Sequence, residues 1–153
     1  MCYMALVVED ASIQHLDELY HIETECFESE AFTKQQIAHL LTDYNSISLV
    51  AKMDSSAVGF IIGTVYMERK SSAGHILTID VSPAYRRKGV AERLLKEIET
   101  IFRERGVKAS HLEVREDNVA ALKLYQKLGY VIVGRLRNYY RNAHGIYLRK
   151  VLA

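Results

Sequence analysis

The feature that most constrains this chain is its alternation from His75 onward. "HILTIDV", rich in β-branched residues, stops just before Pro83. An apolar-periodic segment then follows "RRKG" to about Arg105 and closes at Gly106, where a glycine suits a helix end. "SHLEVR" is a second strand and "NVAALKLYQKLG" a second glycine-closed helix, and "YVIVGRL" and "GIYLRKVL" end the chain as strands. Strand–helix–strand–helix–strand–strand predicts an α/β fold, with a mixed central sheet and helices on both faces.

The first half supplies the remaining elements. A strand is expected over Tyr3 to Val8, then a helix from Ser12 with Ile13, Leu16, Leu19, Tyr20 and Ile22 on one period. "TKQQ" at Thr33 fits a capping box and starts a second helix with Ile37, Leu40, Leu41 and Tyr44 on its apolar side. "ISLVAKM" and "VGFIIGTVYM" read as a hairpin across "DSSA", with Gly59 and Gly63 marking close backbone packing.

A length of 153 residues fits one domain over 1–153. The 20 basic and 19 acidic residues nearly cancel, so no global field draws in nucleic acid or a membrane, and any anion site must be local. Two cysteines, Cys2 and Cys26, exclude a disulfide framework. The start carries no leader-like segment and no apolar run approaches membrane-spanning length, so a cytoplasmic protein is expected. His21, Glu23, Glu25 and Cys26 cluster in "HIETEC", but helical spacing does not aim them at one point, and no metal is expected.

Three consecutive cations, Arg86, Arg87 and Lys88, precede Gly89 where a buried strand meets a helix start. A helix N-terminus offers unpaired N–H groups and partial positive charge, which suit an anion. Gly89 and Ala91 remove bulk where a ligand would approach the backbone. The plainer reading is a basic, glycine-capped loop on a solvated surface. No G-K-[ST] follows, so the turn is not a P-loop.

"TIDVSPAYRRKGVAERLL" and "LEVREDNVAALKLYQKLGY" together resemble the two linked halves of the GNAT acetyltransferase superfamily. The match runs from about Ile76 to Tyr130. The order "LEVR", "EDN", "ALKLYQKLGY", "RNYY" is similar to protein N-terminal acetyltransferases of the bacterial ribosomal-protein alanine type and the archaeal type. The resemblance implies a GNAT-like domain that uses acetyl-CoA, with protein or peptide N-termini as substrates and ribosomal proteins among the candidates. It places the coenzyme pyrophosphate on Arg86, Arg87, Lys88, Gly89, Val90, Ala91 and Glu92. The pantetheine arm would run beside Ile79, Asp80 and Val81.

On "SHLEVR" alternation puts His111, Glu113 and Arg115 on one face. In a central strand that face must line a wet cleft, whereas on an edge it is simply solvated. The resemblance makes Glu113 the base, acting through water, and Tyr125 the acid that serves the departing thiolate. Tyr125 also reads as a core tyrosine between Leu122 and Leu128. Asn118 opens its helix as an N-cap, and the resemblance adds a coenzyme contact. Tyr139 and Tyr140 match the family's cover over the peptide, and Glu28 a second carboxylate on the other peptide wall. "RNAHG" departs from the acidic turn of the archaeal type. Arg135, Arg137 and Arg141 there suit acidic peptides or ribosomal RNA, or an ordinary solvated hairpin, and no specific nucleic-acid reading is expected. Acetylation of a small amine or internal lysine, and a non-catalytic coenzyme-binding module, are the alternatives. Oligomeric state is open.

Overall fold

The computed structural model describes residues 5–152. Seven strands form one mixed sheet in the order β1-β2-β3-β4-β5-β7-β6. They are β1 Leu6–Asp10, β2 Ser46–Met53, β3 Ser56–Glu68, β4 Ser71–Val81, β5 Val107–Arg115, β6 Val131–Tyr140 and β7 Ala143–Val151. The helices are α1 Leu16–Cys26, α2 Lys34–Thr42, α3 Val90–Glu104 and α4 Val119–Lys127. β4 and β5 pair in parallel, and the other neighbours are antiparallel.

The sheet is covered on both faces. α3 and α4 pack over Leu112, Val114 and Leu148 with Leu94, Ile98, Phe102 and Tyr125. α1 and α2 cover Val50, Phe60 and Ile62 with Leu19, Ile22 and Ile37. α3 presses so closely that a Cβ at Gly63 would lie 2.9 Å from Ile98 Cδ1, and one at Gly74 would lie 2.6 Å from the Phe102 ring. Gly59 lies against the Asp80 carbonyl, 2.7 Å from a Cβ position. No described helix is long and apolar enough to cross a membrane.

The capping box at Thr33 and Gln36 forms in both directions. Gly106 ends α3 at φ 77° and Gly129 follows α4 at φ 99°. Several boundaries differ from the reading of the sequence. β1 runs Leu6–Asp10, whereas the expected strand began at Tyr3, and Tyr3 lies outside the described residues. Ser12 caps a 3-10 turn at Ile13–His15 before α1 begins at Leu16. β4 starts at Ser71 rather than His75, because Glu68 pairs with Ser71 across Arg69 and Lys70. That turn holds no glycine or proline, and Arg69 itself takes the left-handed backbone at φ 57°, so nothing marked it in the sequence.

Candidate active site

The site lies where the sheet opens. β4 and β5 pair only from Ser72 to His75 against Val107 to His111. Beyond that point β4 continues to Val81 beside β3, and β5 to Arg115 beside β7. Among the described residues the edge of Ile76–Val81 facing β5 is therefore left without a ladder partner. Extended backbone with free N–H and C=O groups can take up a linear amide-bearing chain, as in strand addition.

On the α3/α4 side the opening continues into a cavity of about 400 Å³ lined by Val81, Arg86, Arg87, Gly89, Ala91 and Leu124. Arg87 (φ 62°) and Gly89 (φ 81°) both take left-handed backbone. A Cβ at Gly89 would meet nothing, so open space rather than packing surrounds that position. Gly89 caps α3 without a side-chain hydrogen bond, which leaves the first-turn N–H groups free for an anion. The geometry and donor set fit a pyrophosphate. One of the three cations behaves differently from expectation. Arg86 turns back onto β4, donating from Nε to the Val81 carbonyl (3.2 Å) and from Nη2 to Cys26 Sγ (3.5 Å). Arg87 lines the cavity together with Lys127 of α4, and Lys88 is exposed in the same turn. Lys127 was not singled out in the sequence, because its place depends on α4 packing beside α3.

The opposite face of the opening holds the titratable groups. Glu113 Oε2 accepts a hydrogen bond from His75 Nε2 at 2.7 Å. His75 had no signal of its own in the sequence. It meets Glu113 because β4 and β5 set His75 directly beside His111 in register. The His75 and His111 rings stack at 4.3 Å and 15°. Burial, then the neighbouring His75, pushes His111 below the usual imidazole range and keeps it neutral. The Tyr66 hydroxyl bonds its Nε2 at 2.5 Å. Donor atoms of His75, His111 and Glu113 lie within 4.8 Å of one another. An imidazole binds metal in its ring plane, and stacked planes hold their lone pairs side by side instead of converging them.

Tyr125 is buried on α4, and burial, then Asp80 and Tyr140, drives its phenol well above the usual value. Asn118 caps α4, its Oδ1 accepting from the Ala121 N–H at 3.1 Å, which leaves its amide nitrogen for other use. Tyr139 and Tyr140 meet edge to face at 4.9 Å, and the Arg115 guanidinium lies 5.7 Å from the Tyr140 ring centre. Glu28, expected on the opposite wall, is exposed. Glu30, two residues on, reaches Arg115 Nη1 at 2.7 Å. The segment between α1 and α2 is irregular, so no helical or strand period fixed which glutamate turns inward. Ile79 and Val81 sit on the open strand edge, while the Asp80 side chain turns away beneath α1, leaving only its backbone to that edge. Cys26, far from these motifs in sequence, donates to the Val81 carbonyl at 3.3 Å. Burial, then Asp80, raises its thiol and keeps it protonated. Cys2 lies outside the described residues.

Residues 16–130 match the Acetyltransferase (GNAT) family. Over 117 residues the chain is 32% identical to the N-alpha-acetyltransferase of Saccharolobus solfataricus, covering 71% of this chain and 70% of that protein. It is 37% identical over 99 residues to the N-terminal acetyltransferase B complex catalytic subunit NAA20 of Arabidopsis thaliana. That stretch is 63% of this chain and 56% of the Arabidopsis protein, so the match spans little more than half the relative's length. The fold superposes on Ard1 from Thermoplasma volcanium with a TM-score of 0.88 at 28% identity, over 97% of this chain and 99% of that one. The open β4 edge, the cation–glycine cradle and this match over most of the chain agree: the protein belongs to the GNAT acetyltransferase family.

Proposed function

We propose that the chain transfers the acetyl group of acetyl-CoA directly to the N-terminal α-amine of proteins or peptides, ribosomal proteins among the candidates. One observation carries the reading: the Glu113–His75 pair stands at the mouth of the β4–β5 opening, across the sheet from the cation–glycine turn. The turn takes the pyrophosphate, with Arg87 and Lys88 at its rim, and the free edge of Ile79–Val81 takes the pantetheine arm. The amine enters from the face that carries Glu113, between Tyr139–Tyr140 and the α1–α2 segment.

A terminal α-amine has a pKa of about 8, so a carboxylate need remove a proton only from a modest acid. Glu113 accepts that proton through water, with His75 orienting the carboxylate. The freed nitrogen lone pair attacks the thioester carbonyl. As the C–S bond breaks its pair leaves with sulfur as thiolate, and the nitrogen releases its second proton to water, leaving the neutral amide. Tyr125 holds its proton more tightly than a thiol does, so it stabilises the thiolate by donating a hydrogen bond rather than by full transfer. Cys26 keeps its proton and is a poor nucleophile, which supports direct transfer over an acetylated enzyme.

The test uses purified protein, acetyl-CoA and peptides that differ in their first two residues, with a blocked lysine peptide and small amines alongside. Thiol release gives the rate, and mass spectrometry locates the acetyl group. Acetylation at the α-amine is the expected result. Transfer only to lysine or small amines, or coenzyme binding without transfer to any of them, would overturn it.

A further inference from the structure

Three side chains buried beneath α1 form a hydrogen-bonded chain outside the machinery described above. Glu23 of α1 and Thr78 and Asp80 of β4 are 1%, 6% and 1% exposed. The Thr78 hydroxyl oxygen lies 3.1 Å from Glu23 Oε1 and 2.5 Å from Asp80 Oδ1. A hydroxyl has one proton to give, so it can satisfy only one of two carboxylates. With both ionised, the second contact would press acceptor against acceptor where no water relieves it. One carboxyl therefore carries a proton. Glu23 Oε2 already accepts the Phe32 N–H at 3.0 Å, whereas Asp80 Oδ2 is buried without a partner among the described residues. The proton belongs on Asp80, and donation runs from Asp80 to Thr78 to Glu23, with Phe32 donating from the far side.

Phe32 belongs to the segment joining α1 to α2, in which Glu30 also holds Arg115 beside Tyr140. We propose that Asp80 is a positioning residue: the proton it carries lets Thr78 and Glu23 hold the α1–α2 segment against the substrate face, and its loss in alkali frees that segment. The peptide-wall role of the segment rests on the acetyltransfer reading, whereas its docking does not. The groups facing Asp80 are Glu23 and Cys26 of α1, Arg86 of the turn and Tyr125 of α4. Burial, then Glu23, pushes Asp80 well above the usual carboxylate range, against the opposing pull of the Thr78 hydroxyl and then of Arg86. Asparagine at this position would mimic the protonated acid at every pH. Glutamine at position 23 would donate to Thr78 itself and remove the need for the proton.

The experiment follows the Asp80 side-chain carboxyl carbon and the Phe32 amide by NMR from pH 6 to 10, without substrate. The wild-type protein, Asp80→Asn and Glu23→Gln are compared. Asp80 is expected to show a protonated carboxyl at pH 7, and the Phe32 amide to move as Asp80 titrates. In Asp80→Asn that movement disappears, and in Glu23→Gln the Asp80 titration falls toward the usual range. The ratio of peptide KM, wild type over Asp80→Asn, then rises several-fold across the same titration while the acetyl-CoA KM ratio stays flat. An ionised Asp80 at pH 7, or a Phe32 amide indifferent to its titration, overturns the proposal. If the NMR behaves as expected and no peptide is acetylated, the docking role stands and the acetyltransfer reading falls.

Discussion

The two faces of the sheet bury carboxylates by opposite means. Under α3, Glu99 is 3% exposed, yet each of its oxygens has a partner: Lys150 Nζ at 2.9 Å on one and the Tyr130 hydroxyl at 2.9 Å on the other. Tyr130 also lies 2.9 Å from Ser110 Oγ, which extends the network into β5. Under α1, no ammonium or guanidinium donates a hydrogen bond to Glu23 or Asp80 among the described residues, and a proton takes the cation's place. A fixed counter-ion makes burial permanent, whereas a proton makes it depend on pH. The fixed arrangement ties α3 to β5 and β7, and the reversible one ties α1 to β4 beside the segment we assign to the peptide.

Substitutions can break this contrast, beginning with the one of largest effect. Glu113→Gln removes the proposed base from the reversible face, and turnover should fall about 10²–10⁴-fold with acetyl-CoA affinity unchanged. Initial rates together with coenzyme titration check both halves. A loss of affinity would mean that the two faces are not functionally separate.

Lys150→Met strips the counter-ion from Glu99 on the fixed face. The expected cost is about 2–3 kcal/mol by urea unfolding, below the ~3–5 kcal/mol of a fully buried pair because the Lys150 side chain is 22% exposed. Turnover per folded molecule should stay near wild type. Tyr125→Phe keeps the packing of α4 and removes one hydrogen bond to the thiolate, so turnover should drop about 10–100-fold at constant acetyl-CoA KM. Unchanged turnover would leave Tyr125 a core residue.

The smallest effect sharpens the contrast most. A carboxyl raised on folding binds its proton more tightly in the folded chain, so stability declines as pH climbs from about 4 through the folded value. Asp80→Asn escapes that loss. Its melting temperature relative to wild type should be higher at pH 8 than at pH 5, by a difference worth about 1 kcal/mol or more. A fixed offset at both pH values would put Asp80 in the same class as Glu99.

Much of this was legible in the order of residues. Alternation of strand and helix periods gave the layers, because each period fixes which side chains share a face. Glycines at 89, 106 and 129 marked turns that need left-handed backbone. Thr33 and Asn118 cap the helices they precede. Local chemistry decides such features within a few residues, so sequence alone determined the α/β layering, the cation–glycine helix start and the candidate strand of Glu113. What only the tertiary structure decided are the pairings between distant segments. His75 meets Glu113 across 38 positions, and Glu23 meets Thr78 across 55. The pairing of Glu30 with Arg115 and the turning of Arg86 onto Cys26 belong to the same class. Strand register and helix docking set such contacts, and both depend on packing over the whole sheet rather than on the residues that end up touching.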